Sequence, residues 1–277
     1  MLKRNHFLTL IVLLWAGSLA AQSPESDSLA AFRPLAAIAG LYQRSAVQLT
    51  LHLRREATPV TNASDTLETD IEMYYGLPNE YVRTEGLEEI VNDSVVLLVN
   101  IPARRMLRYH NTPAIRNGLN RGPVSWLADS SLATLAKRYR ATNIAGDTGV
   151  SKTELTSRDV IAGTQLPKER ITLLYRTATG LPVQCTETRV SMVPVDSLVY
   201  TQLQKQAAYS GRLLTGSGRK GRIFLIVKES STVCSFRGID LRVKRPPVSE
   251  TDRLVLTAGG IYKPAKGFEE YVFTQEN

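Results

Sequence analysis

The tightest constraint on the fold is the spacing of turn residues between Glu80 and Tyr109. Four apolar-rich segments, residues 80–84, 87–91, 94–100 and 104–109, are separated only by Glu85-Gly86, Asn92-Asp93 and Ile101-Pro102-Ala103. Connections of two or three residues are too short for a crossover, so successive strands must run antiparallel as a meander. Within it, Val95, Leu97 and Val99 face one way while Val96 and Leu98 face the other, so this strand is apolar on both faces. Something must cover each face, a second layer of protein or a ligand, and for aliphatic runs a packed core is the commoner outcome.

The same period of two recurs along the chain. In "AVQLTLHL" the residues Val47, Leu49, Leu51 and Leu53 alternate with Gln48, Thr50 and His52, and "ETDIEMYY" repeats the pattern with Ile71, Met73 and Tyr75. Residues 170–176 and 181–190 make a hairpin about Thr179-Gly180, and further strands are expected in "RIFLIVKES", "TVCSFRGIDLRVKR" and the terminal "EEYVFTQ". Cys234 and Phe236 fall out of phase with Ile239, Leu241 and Val243, and a β-bulge at Arg237-Gly238 restores one apolar face. Helices are expected over residues 29–43, over a stretch ending near Arg140 in which Trp126, Leu127, Leu132, Leu135, Ala136 and Tyr139 share a face, and over residues 196–209. Many strands, few helices and no alternation of strand with helix predict a mainly β (α+β) protein. Its form is a large curved antiparallel sheet or half-open barrel, with a few helices as a lid.

The N-terminus bears on compartment. Lys3 and Arg4, the apolar run Phe7 to Trp15 and the small residues Ser18-Leu19-Ala20-Ala21 read as a secretory signal peptide over residues 1–21, which predicts an exported, periplasmic protein with no spanning helix in its mature part. Subtracting 21 residues from 277 leaves 256, read as one β-rich domain over residues 22–277 with an extended C-terminal part at 196–277. Loss of Lys3 and Arg4 takes the formal charge from +8 to +6, which favours acidic partners such as lipid headgroups. Nucleic acid is not expected outside the cytoplasm. Cys185 and Cys234, the only two cysteines, are either a disulfide in an oxidising compartment or two buried thiols.

The residue types that carry catalysis are sparse. Histidine is limited to His52 and His110 after the leader, there is no HExxH or GxSxG, and acids such as Glu68, Asp70, Glu72, Glu85, Glu88 and Glu89 read as solvated strand edges. No enzyme, cofactor or metal is expected. "GSGRKG", Gly216 to Gly221, matches the letters of a dinucleotide fingerprint but precedes a strand where that motif opens a helix. It reads instead as a loop. Arg212, Arg219, Lys220 and Arg222 make it the strongest basic patch, suited to anionic lipid or polymer.

"IVNDSVVLLVNIPARRML" resembles a strand pair of the periplasmic outer-membrane lipoprotein-sorting (LolA-like) family, in which an Asp-Gly turn opens an apolar strand and a proline turn follows eight residues after the glycine. Here Asp93-Ser94 stands at the turn and Pro102 at that spacing, with "GLPNEYVR" before it and "TGLPV" at Thr179 to Val183 like the late hairpin. The resemblance covers roughly residues 29–190. Ser94 departs from the family glycine, and Arg83 stands two residues after Tyr81 instead of one, on the opposite strand face to the family's arginine. The family implies a half-open antiparallel barrel whose apolar interior holds acyl chains, hence a non-catalytic carrier of lipid-like or lipidated ligands. On that footing Leu49, Leu51, Ile71, Met73, Val95, Leu97 and Val99 are the expected lining, with acyl chains or a lipidated protein as ligand. The alternative is an envelope interaction scaffold that holds a protein partner in a secretion or stress-sensing assembly.

Overall fold

The structure, a computed structural model, describes residues 30–36, 46–118, 132–144, 149–218 and 221–276. The expected leader, Trp126, Leu127, Arg219 and Lys220 lie outside the described residues. In chain order the strands are β1 Val47–Thr58, β2 Leu67–Gly76, β3 Asn79–Arg83, β4 Leu87–Val91, β5 Val95–Asn100, β6 Arg105–His110, β7 Tyr139–Ile144, β8 Val150–Ser157, β9 Glu169–Arg176, β10 Pro182–Val195, β11 Leu213–Gly218 and β12 Gly221–Asp240. They are followed by β13 Leu254–Leu256, β14 Tyr262–Pro264 and β15 Val272–Gln275, and the α-helices are α1 Pro113–Gly118, α2 Leu132–Arg138 and α3 Ser197–Leu203.

One 13-stranded sheet holds every strand except the β13-β14 hairpin, in the order β15-β6-β5-β4-β3-β2-β1-β12-β10-β9-β8-β7, with β11 on a second edge of the long β12. The sheet is mainly antiparallel and open, as the spacing of turns required. A single correction comes at its end, where β15 runs parallel to β6, because the chain returns there only after crossing the sheet face from the far end of β12. "RIFLIVKES" and "TVCSFRGIDLRVKR" form one continuous strand, β12. The bulge falls where the phase shift required it, since Thr50 pairs with Gly238 but Leu51 with Phe236. The β4-β5 turn manages without glycine because Asn92 Oδ1 accepts hydrogen bonds from the backbone N–H of Ser94 and of Val95, each 2.9 Å.

Following the register across the sheet sorts the apolar residues into two faces. On one, Val47, Leu49, Leu51, Met73, Leu155, Ile171, Leu173, Cys185 and Cys234 join Phe32 and Leu35 from the N-terminal segment and Leu135 of α2 in one buried cluster. On the other, Tyr74, Tyr81, Ile90, Val95, Leu97, Val99 and Met106 pack against Leu254 and, less deeply, Val243, Val248, Tyr262, Phe268, Tyr271 and Phe273. The C-terminal part is therefore a second layer laid over β2 to β6. It is latched by charge: Arg253 reaches Glu88 through Nε (2.8 Å) and Nη2 (3.0 Å), and Arg108 Nε reaches Glu250 at 2.8 Å. Arg253 also lies 4.7 Å from the centre of the Phe268 ring and Arg108 4.2 Å from that of Tyr262.

Helices fall short of expectation. α2 ends at Arg138, because Tyr139 turns inward as the first residue of β7 and is buried. The stretch 196–209 splits into α3, capped by Asp196 Oδ1 accepting from the Val199 N–H at 2.8 Å, and a 3-10 turn at Ala207–Tyr209.

Candidate functional site

The face that carries Leu49 and Cys234 is covered at one end and open at the other. Successive rows across the strands show why. Leu49 pairs with Met73 and Ile239, Leu51 with Ile71 and Phe236, and Leu53 with Cys234, which in turn pairs with Cys185 and through it Leu173. Two residues further along β1 the row becomes Arg55, Thr232 and Glu187, and the next is Ala57, Ser230, Arg189 and Glu169. A cleft of about 450 Å³ opens where the rows change character. Its floor is Leu53, Ile71, Met73, Val82, Cys185 and Cys234, and its charged and hydroxyl-bearing end is Arg55, Asp65, Glu187, Arg189, Ser230 and Thr232. The volume falls in the range of small-molecule sites, roughly 300–1,000 Å³.

The cleft's rim is fixed by ion pairs. Lys228 Nζ donates to Asp65 Oδ1 at 2.6 Å and to Thr61 Oγ1 at 2.7 Å, while Asp65 Oδ2 also accepts from the backbone N–H groups of Thr61 and Asn62. The lysine, then these N–H groups, hold the Asp65 carboxyl far below the usual carboxylate range. This pins the β1-β2 connection over the opening. On the far side Arg189 contacts both Glu187 and Glu169, and Arg138 Nη2 reaches Glu169 Oε2 at 2.7 Å. Burial pushes Glu187 up. Glu169 is held low against its own burial by hydrogen bonds from Tyr139 and Glu187 and by the two arginines, so the surroundings push the two acids in opposite directions.

The expected lining residues do not form one site. Ile71 and Met73 line the cleft; Leu49 and Leu51 share its face but fall outside its lining and pack with Phe32, Leu35 and Leu135. Val95, Leu97 and Val99 lie on the opposite face beneath the C-terminal layer, because register carries Leu97 into line with Ile90, Tyr81 and Tyr74 and away from Met73. Leu53 and Val82, which complete the floor, belong to the same alternations and were legible from them. Arg55 and Glu187 carried no such signal, since a charged strand residue reads as solvated whichever face it occupies.

The basic patch also separates. Arg212 precedes β11 and donates to the Thr58 carbonyl at 3.2 Å, whereas Arg222 pairs with Ser217 near the hairpin tip, five residues and so roughly 17 Å along the strand from Arg212. "GSGRKG" spans that tip, from strand into strand, as its context required. Cys185 and Cys234 stand directly opposite each other on β10 and β12 as free thiols. Burial pushes both up to about 12, which keeps them protonated and apolar in the floor. Among the described residues no group of three or more His, Cys, Asp or Glu side chains is placed to hold a metal, and no helix is long and apolar enough to cross a membrane.

No family model matches the chain, and no curated protein does. Solved structures that resemble it include a LolA superfamily protein from Nitrosomonas europaea, 12% identical over 78% of this chain and 94% of that one, with a TM-score of 0.28. The MucA/MucB complex of Pseudomonas aeruginosa matches at 12% identity over 78% of this chain and 59% of that one, TM-score 0.31. An outer membrane lipoprotein-sorting protein domain from Vibrio parahaemolyticus matches at 11% over 80% and 96%, TM-score 0.26. The first and third of these bear the name of the family that the strand-turn motifs resemble. At such scores the ligand has to be argued from the cleft itself.

Proposed function

We propose that this is an exported, non-catalytic carrier or binding protein that holds the hydrocarbon part of a lipid-like or lipidated ligand in the cleft. The observation that carries this reading is the change from apolar to polar rows within one opening. Leu53, Ile71, Met73 and Val82 offer a surface for a chain, while Arg55, Thr232 and Ser230 offer one for a polar end. Burying methylenes there gains about 0.8 kcal/mol each. No catalytic role is assigned to the Glu169 and Glu187 pair, because arginines and a tyrosine already occupy both acids.

Native mass spectrometry of protein purified from the exported fraction, followed by solvent extraction and lipid analysis, tests this. A bound acyl lipid or lipopeptide is the expected result; protein that carries none and takes up no fluorescent fatty acid would refute it. The second reading, a scaffold for an envelope protein, is favoured by Val255, Leu256 and Ile261 on the β13-β14 hairpin, which are 52%, 56% and 63% exposed. Loss of a copurifying partner on replacing them with serine would support it.

A further inference from the structure

We infer that the cleft selects a single-chain amphiphile with an anionic head, a carboxylate or phosphate seated against Arg55. This rests on the binding role proposed above and adds the sign of the ligand's charge. Three cations stand at the polar end of the face. Lys228 is spent on Asp65, and Arg189 on Glu169 and Glu187. Arg55 has no ion-pair or hydrogen-bond partner among the described residues, although it lines the cleft. Thr232, directly opposite on β12, and Ser230 in the next row add hydroxyl donors beside Arg55, while Glu187, beyond Thr232 on β10, is in contact with Arg189.

Position supports the same choice. Leu53 is the last large apolar residue on this face of β1, and Arg55 follows one row on, roughly 7 Å along the strand. A chain lying on Leu53, Ile71 and Met73 therefore puts its head within reach of the guanidinium, whose planar fork matches carboxylate and phosphate oxygens. A cationic head would have to compete for Glu187 with Arg189, which is already in contact with it. Arg189 contacts both acids and Arg138 also reaches Glu169, so neither acid is left free to pair with a cationic head.

The test is competition for a bound fluorescent fatty acid by palmitate, cetyl phosphate and cetyl alcohol, which share a chain length and differ in the head. With the full protein at low salt, the two anions should displace the probe at about tenfold lower concentration than the alcohol, as one charge-assisted contact of this kind provides. Arg55→Gln should remove that gap and Arg55→Lys should restore part of it, both with the melting temperature of the parent, since Arg55 is exposed. A lower concentration for cetyl phosphate than for palmitate assigns a phosphate head; the reverse assigns a carboxylate. Equal displacement by acid and alcohol, or a gap that survives Arg55→Gln, overturns the inference while probe binding leaves the carrier reading standing. Failure of the protein to bind the probe at all sinks both.

Discussion

The two faces of the sheet are built from the same alternating aliphatic residues and end differently. Over β2 to β6 the C-terminal part lays down a second layer, so Leu97 and Val99 are 0% exposed. On the opposite face, Phe32, Leu35 and Leu135 cover the rows around Leu49 and Leu51 but stop short of Leu53, and a cleft remains. The difference lies in what the chain places above the strands. On the closed side two charge pairs, Glu88 with Arg253 and Arg108 with Glu250, bind the covering layer to the sheet. On the open side the ion pair of Lys228 with Asp65 sits at the rim, and Leu53, Ile71 and Val82 of the floor stay only half-buried.

Substitutions that separate the faces follow in order of size. Leu97→Asp places an unpaired carboxylate beneath the C-terminal layer and should abolish folding, read as loss of a cooperative melt, because a charge there has no partner. Leu97→Ala should cost about 2–5 kcal/mol by denaturant titration and leave probe affinity unchanged. Arg253→Ala leaves Glu88, 3% exposed, with only the Tyr81 hydroxyl at 3.4 Å and Arg83 at 3.9 Å, and should cost about 3 kcal/mol; a loss below ~1 kcal/mol would mean that these two partners and apolar contact suffice.

On the open side, burial, and next Glu80, pushes Glu89 up to about 7. Its ordinary value is lower, so ionisation is penalised in the fold: stability is full at acid pH, falls as pH rises through the interval up to about 7, and stays low above it. Glu89→Gln should therefore stabilise by about 1–2 kcal/mol at pH 8 and by nothing at pH 4, with water screening keeping the gain below the full shift. A gain at pH 4 instead would contradict the sign. The smallest effect concerns Cys185 and Cys234: protonated and buried, they should resist iodoacetamide in the native protein and react only in denaturant. If neither thiol reacts even then, a disulfide joins β10 to β12.

Much of the sheet was legible because turn spacing and period speak directly to backbone. The meander from β3 to β6, the β9-β10 hairpin and the bulge at Gly238 all follow from them. β8 was not, because its buried face is Ser151, Thr153, Leu155 and Ser157, hydroxyls with one aliphatic among them. Alternation in burial was there without alternation in hydrophobicity. The site was half legible for a different reason: periodicity says which residues share a face of one strand, but only register across strands says that Ile71 and Leu97 look opposite ways. The C-terminal layer, which closes one of the two faces, has short strands and few periodic residues to announce it.

The most direct test of the one-sided cleft is photo-crosslinking of the native protein with a diazirine fatty acid, followed by peptide mapping. Adducts are expected on peptides that contain Leu53, Ile71 to Met73, or Val82. Adducts concentrated on Val95 to Val99 or on the C-terminal layer would show that the ligand enters the face described here as closed, and would contradict the account.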